Sequence, residues 1–403
     1  MPSASVPLPP AAPSQGRWLV PNLLGQLAFG LLAMTICLPS MQDWPATFGA
    51  SQAAVQLTFS GFVFSFGGLQ LLYGPLSDRV GRKPVLIAGL LLAGLGALLA
   101  ALAPNLTVLT AARILQGAGS AAGMVVGRAL IQDFFSGLER TRMMAMVGMT
   151  MGLVPAAATV LGGELHVRLG WQANFVVLTG LAAVLVLAAW RGLPDPRPTE
   201  TATPWTQLFS GYGQLARTPS FLLYVLVLSG ASAAFYTFLG GAPLVLKVYG
   251  ITPERIGYYI MSIPGAYIVG NVLTARLIHR WGDRRLMIAG QCVALGALLL
   301  LLVFGLAGLH TPFFLVLPLV FLGIGHGLLQ PSALTGTVGV VPALAGSAAA
   351  VAGLMQQMCG ALGSFGIGLV THQGPVNLAL LMLAWTVLSA LAQVLLFRWF
   401  ARR

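Results

Sequence analysis

Two arginines lie inside an apolar stretch that ought to hold none. Arg113 and Arg128 fall within the run 107–132, where Arg113, Gln116, Ser120 and Met124 recur at helical spacing. Arg128 lies within about 60° of Arg113 on the same helical wheel. An arginine inside a membrane span costs several kcal/mol unless it is paired or hydrated, so this stripe belongs on a cavity wall or against the carbonyls of a neighbouring helix. The chemistry on offer is recognition and charge compensation. Candidate proton carriers are few: Asp43 and Glu164 near one set of run ends, Asp133 near the other, and His326 inside the run 312–336. Histidine titrates near neutral pH without perturbation, although a lone one between Gly325 and Gly327 is more often a packed or hydrogen-bonded residue. The chain has no histidine cluster at metal-ligand spacing, no nucleophile elbow and no P-loop, which argues against catalysis and ATP drive. Neither a cofactor nor a metal is expected.

These residues must be positioned by a chain of 403 residues that is 57% hydrophobic and 7% charged, against a soluble norm of about 25% charged. That is the composition of a polytopic membrane protein. The apolar runs are continuous and roughly 20 residues long, whereas barrel strands would alternate over about ten, so the spans are helices. The 50 glycines support close helix packing and sliding surfaces. A net charge of +12 is spread over short turns and not gathered on one face, which points to topogenesis and away from nucleic acid. Cys37, Cys292 and Cys359 all lie in apolar runs and read as small hydrophobes with no disulfide framework.

Residues 1–17 read as a disordered cytoplasmic tail, and twelve spans follow. The first six, 18–39, 53–73, 85–103, 107–132, 143–165 and 172–190, make an N-terminal bundle over 18–190. The second six, 219–246, 255–277, 286–308, 312–336, 346–370 and 376–397, make a C-terminal bundle over 219–397. Between them lies a proline-rich polar linker, 191–218, and at the end a basic tail, 398–403. With the N-terminus inside, sixteen basic residues fall in inner turns and tails and only Arg168, Lys247 and Arg255 outside. Both termini are therefore expected in the cytoplasm. The halves are also related: Ser77–Gly89 aligns without gaps on Ile278–Gly290 at an offset of 201, with Arg, Gly, Ile, Ala and Gly identical. The fold expected is all-α: twelve transmembrane helices in two pseudo-symmetric six-helix bundles, a parallel repeat about the membrane normal.

Between the second and third spans, Gly74-Pro75-Leu76-Ser77-Asp78-Arg79-Val80-Gly81-Arg82-Lys83-Pro84 packs its charges into what reads as a tight surface turn, with Pro75 and Pro84 stopping and starting helices. This pattern resembles the signature loop of the major facilitator superfamily. The resemblance implies a charge cluster of Asp78, Arg82 and Asp133 that holds the halves closed on the cytoplasmic side. The stretch A-A-R-I-L-Q-G-A-G around Arg113 resembles a motif of facilitator drug exporters whose arginine is linked to proton transfer. In the fifth span Gly148, Gly152, Pro155, Thr159, Gly162 and Gly163 are similar to the kinked exporter motif, although its G-P-x-x-G-G core reads A-T-V-L-G-G here. Small-residue packing alone explains those glycines equally well.

Leu38-Pro39, R-A-L-I-Q-D at 128–133 and the stretch 235–257 together resemble the bicyclomycin and chloramphenicol resistance group of drug:proton antiporters. The likeness implies that Phe235, Tyr236 and Phe238 line a cavity, with ordinary packing an equal alternative. It also implies an acid in the first span, where this chain has Thr35. The expectation is a monomeric transporter of the bacterial cytoplasmic (inner) membrane that exports amphipathic small molecules by alternating access, in exchange for protons, as in multidrug efflux. The missing acid favours a rival, a facilitator or exporter of one metabolite with weak or no proton coupling. A membrane enzyme or non-transporting sensor is the third reading.

Overall fold

The first span stops short because of Pro39. In the computed structural model, which describes residues 18–194, 205–371 and 373–401, α1 (Leu19–Thr35) ends where the missing Pro39 N–H would have been needed by the Thr35 carbonyl. The chain continues through a 3₁₀ turn, Ser40–Gln42, into the short α2 (Trp44–Phe48). Then α3 (Gln52–Val80) runs through Pro75 and Asp78, and α4 (Arg82–Ala101) begins two residues after it ends. The charged stretch is thus helical up to Val80, and the expected loop shrinks to Gly81, at φ 111 and ψ 148. That conformation is open to glycine and hostile to any residue with a Cβ. Pro75 lies inside α3 and does not end it.

The elements that follow are α5 (Leu106–Phe134), α6 (Gly137–Leu169), α7 (Gln172–Gly192), α8 (Trp205–Ala216), α9 (Pro219–Val248), α10 (Pro253–Ile260), α11 (Ser262–Leu306), α12 (Pro312–Gly339), α13 (Ala345–Gly368) and α14 (Val376–Ala401). No strand occurs among the described residues. The helix α8 occupies part of the expected linker; the stretch 195–204, the tail 1–17 and Arg402–Arg403 lie outside the described residues.

Among the described residues, ten helical segments are long and apolar enough to cross a membrane. Two features account for the difference from twelve. The expected eighth and ninth spans form one segment, Pro253–Leu306, which breaks at Gly282 (φ 70, ψ 165). Gly282 is the residue that the repeat aligns with Gly81, so the same positive-φ glycine separates the second and third helices of both halves. The other is α13, whose Ala, Gly, Ser and Gln content lowers its hydropathy. It packs on α3 and α9 and needs less lipid-facing apolar surface than a peripheral helix.

Helices α1 and α3–α7 pack on one another, as do α9 and α11–α14. Two seams join the groups, α3 with α13 and α6 with α10. Each sets the second helix of one half against the fifth of the other, as a pseudo-twofold relation requires.

Candidate functional site

Arg113 does not face open space. It is wholly buried, and its Nη1 donates to the Ala33 carbonyl at 2.7 Å and to Gln116 Oε1 at 2.6 Å, with Nη2 3.4 Å from the Met34 carbonyl. These carbonyls belong to the last turn of α1, which lacks intrahelical partners because the helix stops at Thr35. The guanidinium also lies 4.3 Å above the Phe62 ring. Of the two sequence readings, a cavity wall and a bond to neighbouring carbonyls, the geometry is the second. Arg113 Nε and Gln116 Nε2 are buried without a partner. Thr35 is buried and donates back to the Leu31 carbonyl at 2.9 Å; Met124 is buried in the same bundle.

Arg128 is different. It is partly exposed, and its Nη2 reaches Met151 Sδ at 3.2 Å on α6. Met151 adjoins Gly152, where an added Cβ would stand 3.0 Å from Ile268 of the second bundle. Arg128 thus lies six residues from the end of α5, against a residue of α6 that neighbours the contact with the second bundle in sequence.

Asp78, Arg82 and Asp133 come together at the ends of α3, α4 and α5. Arg82 Nη1 lies 2.5 Å from Asp78, Arg82 Nε 3.1 Å from Asp133, and Nη1 also donates to Ser77 Oγ at 2.7 Å. Every one of these contacts is within the first bundle. None of them ties the halves together in this conformation.

The halves are tied at the opposite end. Lys247 Nζ, at the end of α9, donates to Asp43 Oδ1 at 3.0 Å and to the Gln42 carbonyl at 2.8 Å. His166 Nε2 lies 3.0 Å from Asp43 Oδ2. Partial burial raises the Asp43 pKa, but hydrogen bonds and attraction from Lys247 and His166 outweigh it and hold the carboxyl below its ordinary range. Further in, Gln56 donates to the Gly240 carbonyl at 2.9 Å and accepts from Ser364 at 3.3 Å. The kink-motif glycines lie here too. Gly162 abuts the Ile36 carbonyl, and a Cβ on Gly163 would stand 2.5 Å from the Pro253 carbonyl of the other half. Pro155 lies inside α6, which continues through it.

On α9, Tyr236 donates to Gln357 on α13 at 2.7 Å, and its ring centroid is 6.2 Å from that of Phe59 in the first bundle. Phe235 meets Tyr236 edge-on and Phe238 at a tilt, and Phe238 is buried. Aromatics of α9 are thus part of the inter-bundle seam. His326 is buried on α12, with Nε2 unpartnered.

Residues 23–364 match the Major Facilitator Superfamily. The chain belongs to that superfamily. This facilitator is 30% identical over 359 residues to the multidrug resistance protein D of Escherichia coli, covering 88% of this chain and 90% of that one. It is 30% identical over 299 residues to a chloramphenicol resistance protein of Pseudomonas aeruginosa, covering 73% of this chain and 70% of the relative. In fold it is similar to a bacterial homolog of the lysosomal transporter Spinster, inward-facing and unoccupied, with a TM-score of 0.76 at 16% identity over 94% of this chain and 96% of that one. The nucleoside transporter NupG matches with a TM-score of 0.76 at 14% identity, over 94% of this chain and 98% of that one.

The inter-bundle contacts lay outside what the sequence could name. Asp43 and Lys247 were visible as polar residues at outer ends, but nothing in their spacing pairs them.

Proposed function

We propose that this facilitator exports amphipathic small molecules, drugs among them, across a bacterial cytoplasmic membrane by alternating access. The residues 18–190 and 219–397 act as the two moving bodies, and the protein works as a monomer with both termini in the cytoplasm. The observation that carries the reading is the placement of the inter-bundle bonds. Lys247 to Asp43, Gln56 to Gly240 and the Gly163 approach gather at the end away from Arg82 and Asp133. Positive-inside bias puts the arginine-rich end in the cytoplasm, so the structure corresponds to a state closed outside. Substrate enters from the inside, the halves rock about the α3–α13 and α6–α10 seams, and the cluster Asp78, Arg82, Asp133 biases the return. Kinship with multidrug and chloramphenicol resistance proteins supports drugs as cargo.

Exchange for protons is the resemblance-based part of this reading. A second reading, export with weak or no coupling, is favoured by one observation: Thr35 stands where the family carries an acid, and it only back-bonds its own helix. Uptake of a compound panel by proteoliposomes, with and without an imposed pH gradient, tests both. Saturable export that rises with the gradient supports antiport; export indifferent to it supports the second reading; no export of any compound overturns the function.

A further inference from the structure

The chain has nine acidic residues, and the seven among the described residues lie at or near helix ends. Asp78, Asp133 and Glu139 sit at the arginine-rich end, Asp283 follows the Gly282 break, and Asp43, Glu164 and Glu254 are at the opposite end. Asp195 and Glu200 lie in the stretch between α7 and α8. The carboxylate set farthest inside a helix among the described residues, Glu164, is five residues from the end of α6 and is paired with Arg168. Arg113 and Arg128 lie seven residues from the start and six from the end of α5, and neither forms an ion pair among the described residues.

Their donors are not equally free. Those of Arg113 are directed at the α1 carbonyls and Gln116, and the side chain is sealed inside its bundle. Arg128 is partly exposed, six residues before the end of α5 and roughly 9 Å inside it at the helical rise, with a thioether sulfur as its hydrogen-bond partner. A thioether is a weak acceptor for a guanidinium. Away from the helix ends, the polar side chains paired between α9, α11, α12 and α13 are neutral: Tyr236 with Gln357, Tyr267 with Gln330, Ser232 with Gln356.

We propose, resting on the export reading, that the cargo is anionic or neutral, and that Arg128 selects against cations. A cation drawn into the passage would give up hydration, meet a fixed positive charge, and find no carboxylate to compensate it. An anion would receive charge-assisted hydrogen bonds from a planar fork whose donors lack a strong acceptor. A neutral amphipath would be indifferent to the charge and held by Phe235, Tyr236 and the amides.

The test measures initial export rates in proteoliposomes for three amphipaths of matched size: a quaternary ammonium dye, a neutral phenicol and an aryl carboxylate. The native protein should carry the phenicol and the carboxylate at least tenfold faster than the ammonium dye. Arg128→Gln should lower the carboxylate-to-phenicol rate ratio at least tenfold, and Arg128→Glu should admit the ammonium dye. A gain of cation transport cannot come from misfolding. Native export of the ammonium dye at the phenicol rate overturns the charge inference alone, as does a carboxylate-to-phenicol ratio unmoved in both variants. Export of none of the three overturns the transport reading with it.

Discussion

Lys247 of the second bundle lies 3.0 Å from Asp43 of the first, at the end of the molecule where the halves meet. Both side chains are more than a third exposed, so the pair contributes at most about 1 kcal/mol. A latch of that strength suits a gate that must open in every cycle. Asp43→Asn or Lys247→Ala should shift the population toward opening at this end by up to about fivefold, with little change in melting temperature. Unchanged labelling of a cysteine placed nearby at Ala46 would count against a latch.

The same pair has a defined pH response. The Asp43 carboxyl is held below its ordinary range in the closed state, so closure gains from it at neutral pH and loses that gain as pH falls through the lowered value. Between about pH 8 and 5 the carboxyl stays ionised, and the part that Lys247 contributes should be flat. Opening that appears only on stronger acidification, and is absent in Asp43→Asn, is the expected pattern; protein populations at each pH can be read from spin-label distances.

Arg113→Ala should abolish export and lower stability, because it leaves the Ala33 carbonyl and Gln116 Oε1 without a donor in a buried place, at about 1–3 kcal/mol per orphaned group. Arg113→Lys should rescue poorly, since one ammonium cannot reproduce a planar fork over the Phe62 ring. Transport assays paired with melting curves separate the two effects. Efficient rescue by lysine would mean that charge alone matters.

Much of this was legible beforehand, for physical reasons that differ by residue. The repeat at offset 201 aligned Gly81 with Gly282, and backbone stereochemistry makes that alignment meaningful: both adopt positive φ where one helix hands over to the next. The charge cluster was legible through resemblance, and the structure brings its three residues together, although within one bundle. The partner of Arg113 was not legible. It depends on the carbonyls of Ala33 and Met34 in the last turn of α1, far away in the chain, and helical periodicity on α5 says nothing about what faces it. The Asp43, His166 and Lys247 group is joined from three helix ends, a tertiary fact with no local signal.

Gly163→Ala tests the close approach of the halves. Its Cβ would stand 2.5 Å from the Pro253 carbonyl and 3.0 Å from Glu254 Cα, backbone atoms that cannot turn away. The variant should express in the membrane but close poorly at this end, cutting export at least tenfold. Normal export would show that the seam has slack.

Asp78→Asn should impair export with near-normal protein level, because Asp78 biases a conformational balance through Arg82 and holds no core together. Native rates in this variant would reduce the stretch to a topogenic signal.

Alternating access is tested most directly by paired distances across the two ends. Spin labels at Ala46→Cys and Val248→Cys report on the latched end, and labels at Leu138→Cys and Trp281→Cys on the arginine-rich end, in a background without Cys37, Cys292 and Cys359. In liposomes containing an exported phenicol, the account expects the first distance to lengthen as the second shortens, with both shifts damped in Asp78→Asn. Distances that stay fixed at both ends while the protein transports, or that lengthen together, would contradict it.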